Sequence, residues 1–352
     1  MWILTKSRHY LPAVLKFIRH TIHAIRVNLS TGTEQRFRLE VVRFAQRQHL
    51  ASAMFSLDEI IIEPEIMVRP VQIAFDNQTP PIDTVNLTIP YIPDCPELGA
   101  VYQTPKIALS SALQNGARIA LTGNPVSGKT VALAYLASQI ARKVQSIGSL
   151  GNLLPVFIHA GDINPGVLLS QASSSSSAME GNSASEKDAG GPNLPTTILI
   201  EAVTRQISAS KLPRLPGLLQ SALESNRLLL IIDGLDELPP DRQSPIYNLI
   251  KELIELYPRL QIIASVAFEH MALLPSLGFH MLALAAWGEQ EKVQFVQKWD
   301  LLWDKLNIKN ERESLGVSER QYLTSWLTSP GLPCSPMEFN LKVWAAYAGD
   351  SL

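Results

Sequence analysis

Residues 123–130 read GNPVSGKT, with two glycines, a lysine and a hydroxyl side chain at the spacing GxxxxGK[ST], between a predicted strand and a predicted helix. Gly123 and Gly128 leave room for the chain to wrap tightly. The loop between them, through Asn124, Pro125, Val126 and Ser127, can turn backbone N–H groups inward as an anion nest. A helix starting near Lys129 adds the positive end of its dipole to the same spot. Such a cradle suits a polyphosphate: Lys129 would reach the β- and γ-phosphates, and the Thr130 hydroxyl would ligate Mg²⁺. The competing reading is a glycine-rich turn with an exposed lysine.

A second segment, RLLLIIDGLDEL at 227–238, supplies what the first lacks. Its apolar run reads as a strand buried on both faces. At the carboxyl end Asp233 can hold Mg²⁺ through water and face the phosphate loop across the crevice of the sheet. Asp236 and Glu237 follow on the adjoining turn, placed to orient or deprotonate an attacking water. Either acid alone also fits N-terminal capping of the helix predicted over Asp241–Tyr257.

The elements that must position these residues read as an α/β chain, a parallel sheet flanked by helices, with a small helical N-terminal region and a C-terminal helical subdomain. Strand patterns fall at 118–123, 153–160, 227–233, 260–266 and 280–284, alternating with helices as βαβ units require. Helices are expected over Lys106–Asn115, over Thr130–Lys143 and from near Thr196. Residues 1–56 form the N-terminal region, with a second helix over Glu34–His49 after a turn at Ser30–Gly32. Residues 57–96 read as a proline-rich extended connector, 97–287 as the core and 288–352 as the helical subdomain. Within the core, 171–195 is rich in Ser and Gly and is expected to be a disordered surface loop, either a tolerated insertion or a site of regulatory phosphorylation.

With both motifs in place, DGLDE at 233–237 resembles the Walker B signature of NACHT proteins, members of the STAND class of P-loop signalling NTPases. The likeness covers about Leu98–Leu352, including LLPVFIHAGD and the helix after it. It implies that Gly123, Gly128, Lys129 and Thr130 bind phosphate and metal, Asp233 the metal, and Asp236 or Glu237 the hydrolytic water. Ser265 stands where such proteins carry a residue before a γ-phosphate-sensing arginine, and Val266 replaces that arginine. Tight binding with slow turnover is the consequence, since no cation is evident to stabilise the charge of the transition state. Pro336 is matched to a proline that touches adenine or ribose, with Pro333 second; both also suit a plain helix start. The resemblance thus implies ATP or ADP with Mg²⁺ as ligands, a change of conformation and self-association with nucleotide state, and a sensor or effector that the sequence does not identify. A nucleotide-holding scaffold without catalysis and a general AAA-like ATPase are the alternatives.

Composition narrows the remaining classes. With 30 basic and 32 acidic side chains the net charge is −2, so no global field steers the chain to nucleic acid or anionic lipid. The basic N-terminal segment, interleaved with Leu and Ile, could contact a membrane or simply present the outer face of a packed helix. No run of 18 apolar residues occurs. Two distant cysteines, Cys95 and Cys334, make neither a disulfide framework nor a zinc site, which fits a reducing cytoplasm. Neither HExxH nor GxSxG is present, so zinc hydrolysis and serine-nucleophile chemistry have no support.

Overall fold

The computed structural model of the protein describes residues 32–67, 96–101, 104–114, 116–164, 194–206, 214–270, 273–309, 317–329 and 334–348. The predicted first helix, the turn at Ser30 and Thr31, most of the connector, the Ser/Gly-rich loop up to 193 and Pro333 lie outside them.

In chain order, helix α1 spans residues 32–45. It is followed by α2 (Leu57–Ile60), β1 (Glu65–Met67), α3 (Pro96–Val101), β2 (Lys106–Ala108), α4 (Leu109–Leu113), β3 (Arg118–Thr122) and α5 (Lys129–Arg142). Then come β4 (Leu154–His159), α6 (Leu194–Gln206), α7 (Leu215–Glu224), β5 (Leu228–Asp233), α8 (Pro240–Leu256), β6 (Gln261–Val266) and β7 (Phe279–Ala283). Helices α9 (Glu289–Lys309), α10 (Val317–Leu327) and α11 (Pro336–Ala348) close the series.

Strands β3 to β7 form one parallel sheet in the order β4-β5-β6-β3-β7, flanked by helices. Every residue of β5 is buried, as its unbroken apolar run requires of a strand covered on both faces. Because all five strands run the same way, the ends of β3, β5 and β6 share one edge, where open α/β sheets bind ligands. Helix α5 packs on β4, β5 and β6 through Leu133, Leu136, Ala137 and Ile140. A second core is built from Phe295, Trp299, Phe339 and Val343 of the C-terminal helices with Ala51, Phe55, Ile60 and Ile62 from the N-terminal side. No helix among the described residues is long and apolar enough to cross a membrane.

Several local expectations need correction. Lys106–Asn115 is not one helix: its first three residues pair antiparallel with Glu65–Met67 as β2, and only then does α4 begin. A partner forty residues away in sequence decides this, and no local propensity reports it. The helix expected to reach His49 ends at residue 45, because the chain turns to bury Ala51 and Phe55 in the second core. Part of EIIIEPEIMV is helical. Glu59 accepts bonds from the Ser56 N–H at 3.1 Å and Oγ at 2.6 Å, closing a single turn before β1.

Candidate functional site

The residues of GNPVSGKT occupy the turn from β3 into α5. Gly128 sits at φ 94°, a backbone open to it because it lacks a Cβ, and Gly123 is packed so closely that a Cβ there would lie 2.7 Å from Ser127 Oγ. Val126 also has positive φ, 61°, which for a β-branched residue is strain held by the surrounding turn. Lys129 curls back over the loop, its Nζ donating to Gly123 O at 2.8 Å and Asn124 O at 3.3 Å. Ser127 Oγ is buried with no hydrogen-bond partner among the described residues. A loop that gathers an ammonium and an unmatched hydroxyl at a helix N-terminus has the chemistry of an oxyanion site.

Opposite lies the end of β5. Asp233 is 3% exposed, and its Oδ1 accepts from Ser265 Oγ at 2.5 Å, while that hydroxyl accepts from Gly234 N–H at 2.8 Å. Ser265 on β6 therefore orients the carboxylate, with its own proton committed to Asp233. Val266 ends β6 fully buried. Asp236 and Glu237 occupy a 3₁₀ turn, Leu235–Glu237, and point different ways. Asp236 Oδ2 lies 3.7 Å from Lys129 Nζ, and its charge, after burial, helps push the Tyr247 hydroxyl above its ordinary range. Glu237 Oε2 instead meets His159 Nε2 at 3.1 Å. The capping alternative for these acids finds no support, since α8 begins after Pro239, which makes no side-chain cap bond.

A cavity of about 740 Å³ joins the two motifs. Gly128, Lys129, Thr130, Asp233, Asp236, Glu237 and Ser265 line it, together with Pro125, Val126 and Ser127 of the loop. Pro336 and Met337 from the start of α11 and Trp287 ahead of α9 line it as well. Pro336 also opens its helix in the ordinary way, behind Ser335, whose N–H and Oγ bond Glu338 at 2.8 and 3.0 Å. Two further stretches with no motif line the cavity, Arg47–Leu50 after α1 and Ile60–Ile62 at the end of α2. Sequence reasoning missed both, and Arg47 brings to the cavity a cation that no pattern announced. His49 is held below its ordinary pKa by burial. No group of three or more metal-ligating side chains exists among the described residues. Asp233 with Thr130 offers a pair of oxygens, the sparse protein contribution that Mg²⁺ accepts when phosphate and water supply the rest.

Comparison with protein-family models finds no match, and a search of curated proteins finds none.

Proposed function

We propose that the protein binds ATP or ADP with Mg²⁺ in this cavity and acts as a slowly hydrolysing switch of the NACHT type within a P-loop NTPase fold. The observation that carries the reading is the junction of GNPVSGKT with Asp233, Asp236 and Glu237 at the carboxyl edge of one parallel sheet, inside a cavity closed by the C-terminal helices. The residues fit the ligand. The orphaned Ser127 hydroxyl, the ammonium of Lys129 and the N-terminus of α5 converge where phosphate oxygens need donors. Asp233, oriented by Ser265, and Thr130 would hold the metal, which neutralises phosphate charge when bound. Asp236 sets Lys129 in place, and Glu237, hydrogen-bonded to His159, is the carboxylate that would accept a proton from water.

Because the cavity wall combines the sheet with α11 and the segment before α9, occupancy would bias how the two cores meet, which is what a two-state switch requires. Self-association and an effector or sensor partner belong to this reading as proposals. Binding without turnover is favoured by one observation, the buried Val266 at the end of β6 where a charge-sensing arginine would act.

The test is equilibrium binding of ATP and ADP with Mg²⁺, with phosphate release and light scattering followed in parallel. We expect saturable binding that Lys129→Ala weakens by at least about tenfold, the cost of one charge-assisted contact. Mass should also differ between the ATP- and ADP-bound forms. Absence of binding in the wild type would refute the reading, and binding without phosphate release would leave the scaffold.

A further inference from the structure

Two adjacent acids on one short turn face opposite ways, and the sheet order says which way each faces. In β4-β5-β6-β3-β7 the phosphate loop leaves β3, on one side of β5, and His159 ends β4, on the other. Asp236 reaches toward the loop and its lysine; Glu237 reaches away from it, to His159. Glu237 is 65% exposed, so burial does not impose this direction.

The imidazole is built to hold. Its Nδ1 accepts from Gly161 N–H at 3.0 Å, which fixes that nitrogen as an acceptor and leaves the proton on Nε2 to be donated to Glu237. Gly161 is fixed in turn: Arg242 Nη2 donates to Gly161 O at 3.2 Å and to Ile163 O at 2.6 Å. The ring also packs onto Gly234 so tightly that a Cβ there would collide with it, and Gly234 has the positive φ, 73°, that starts the turn bearing both acids. His159 does not line the cavity.

We propose that His159 is a positioning residue that holds the Glu237 carboxylate on the β4 side, away from Lys129, so that nucleotide is held and turnover waits on release of this carboxylate. The inference rests on the nucleotide-binding reading above. In the step it restrains, water oxygen bonds to the γ-phosphorus, the bond from that phosphorus to the β-bridging oxygen breaks with its electron pair leaving on ADP, and the water proton passes to Glu237.

The experiment compares wild type, His159→Ala, His159→Gln and His159→Ala/Glu237→Gln, measuring kcat, KM and the Kd for ATP with Mg²⁺. Losing a single exposed hydrogen bond predicts a kcat about fivefold higher in His159→Ala with Kd and KM within about twofold of wild type. The gain should vanish in the double variant and be largely reversed in His159→Gln, whose amide can still donate to Glu237. A kcat unchanged or lowered in His159→Ala, with binding intact, overturns the proposal and leaves nucleotide binding standing. Absence of nucleotide binding in the wild type removes both. A second readout needs no turnover: ¹⁵N–¹H spectra of the nucleotide-free wild type should show His159 protonated on Nε2, with that resonance displaced by Glu237→Gln. The opposite tautomer, or no displacement, also overturns the proposal, even if His159→Ala does not fold.

Discussion

Val126 and Ser265 show what single residues contribute here. Val126 is half-exposed at φ 61°, so it gains little from packing while its branched Cβ crowds the backbone. Val126→Gly should therefore raise stability by about 1 kcal/mol in urea melts of the nucleotide-free protein, the usual scale of left-handed strain. It should weaken nucleotide affinity, because the freed loop must be ordered on binding. Ser265 has the opposite profile. Its hydroxyl is the partner of both a buried carboxylate and the Gly234 N–H, so Ser265→Ala strands two polar groups at once. A loss of about 2 kcal/mol in the same melts is expected from such stranding. Partial recovery on adding Mg²⁺ with nucleotide would follow if Asp233 is the metal's ligand.

At the scale of elements, α1 acts on the end of α5 remote from the GNPVSGKT turn. Arg38, buried in α1, donates to Ile140 O at 3.0 Å and Leu153 O at 2.7 Å, meeting the C-terminal carbonyls of α5 and the entry to β4. Glu34 binds Arg38 at 3.0 Å and Arg227 at 3.4 Å, and Arg142 pairs with Asp58 beside it. Burial pushes the Glu34 carboxyl up, but the two guanidiniums outweigh it and hold it below its ordinary value of 4.5. A depressed carboxylate stabilises the fold fully above that ordinary value, and the contribution is lost as pH falls through the folded pKa. Arg38→Ala should thus cost about 2 kcal/mol at neutral pH and flatten the acid limb of stability against pH, read from urea melts between pH 7 and 3. None of this clamp was legible in the sequence, where α1 read only as the second helix, over Glu34–His49. The apolar runs of β3 to β6 and the helix after the glycine-rich turn were legible because burial on both faces and that turn leave local patterns. Strands of three residues such as β1 and β2 leave none, nor did α7, whose start at Leu215-Pro216 looks like another proline-broken loop. The motif residues of the site could be named in advance. Arg47–Leu50 and Ile60–Ile62 could not, since only tertiary packing brings them to the cavity.

At the scale of the molecule, the described residues form two cores that share one segment of chain. Phe37, Val41, Leu57 and Ile66 belong to the core of the sheet, whereas Phe55, Ile60 and Ile62, within the same segment, belong to the core of the C-terminal helices. Polar ties repeat the connection: Lys106 meets Glu291 at 2.6 Å and Glu65 at 3.5 Å, and Lys298 donates to Ile61 O at 2.5 Å, its ammonium held below its ordinary pKa by burial. The cavity opens along this seam, so a ligand that fills it touches both cores, and a tryptophan on the seam should report the event. Trp287 is that residue. It packs on Phe295 at 5.1 Å and Phe339 at 6.2 Å in the second core, and it lines the cavity, as the other described tryptophans do not. Binding of ADP or ATP with Mg²⁺ should shift or quench intrinsic fluorescence, with a concentration dependence matching the directly measured Kd. Trp287→Phe keeps the aromatic packing and should abolish most of the signal while leaving Kd nearly unchanged. A full signal in Trp287→Phe would mean that the change arises at the buried Trp299 cluster, deep in the helical core, and that nucleotide moves the whole subdomain rather than the seam alone.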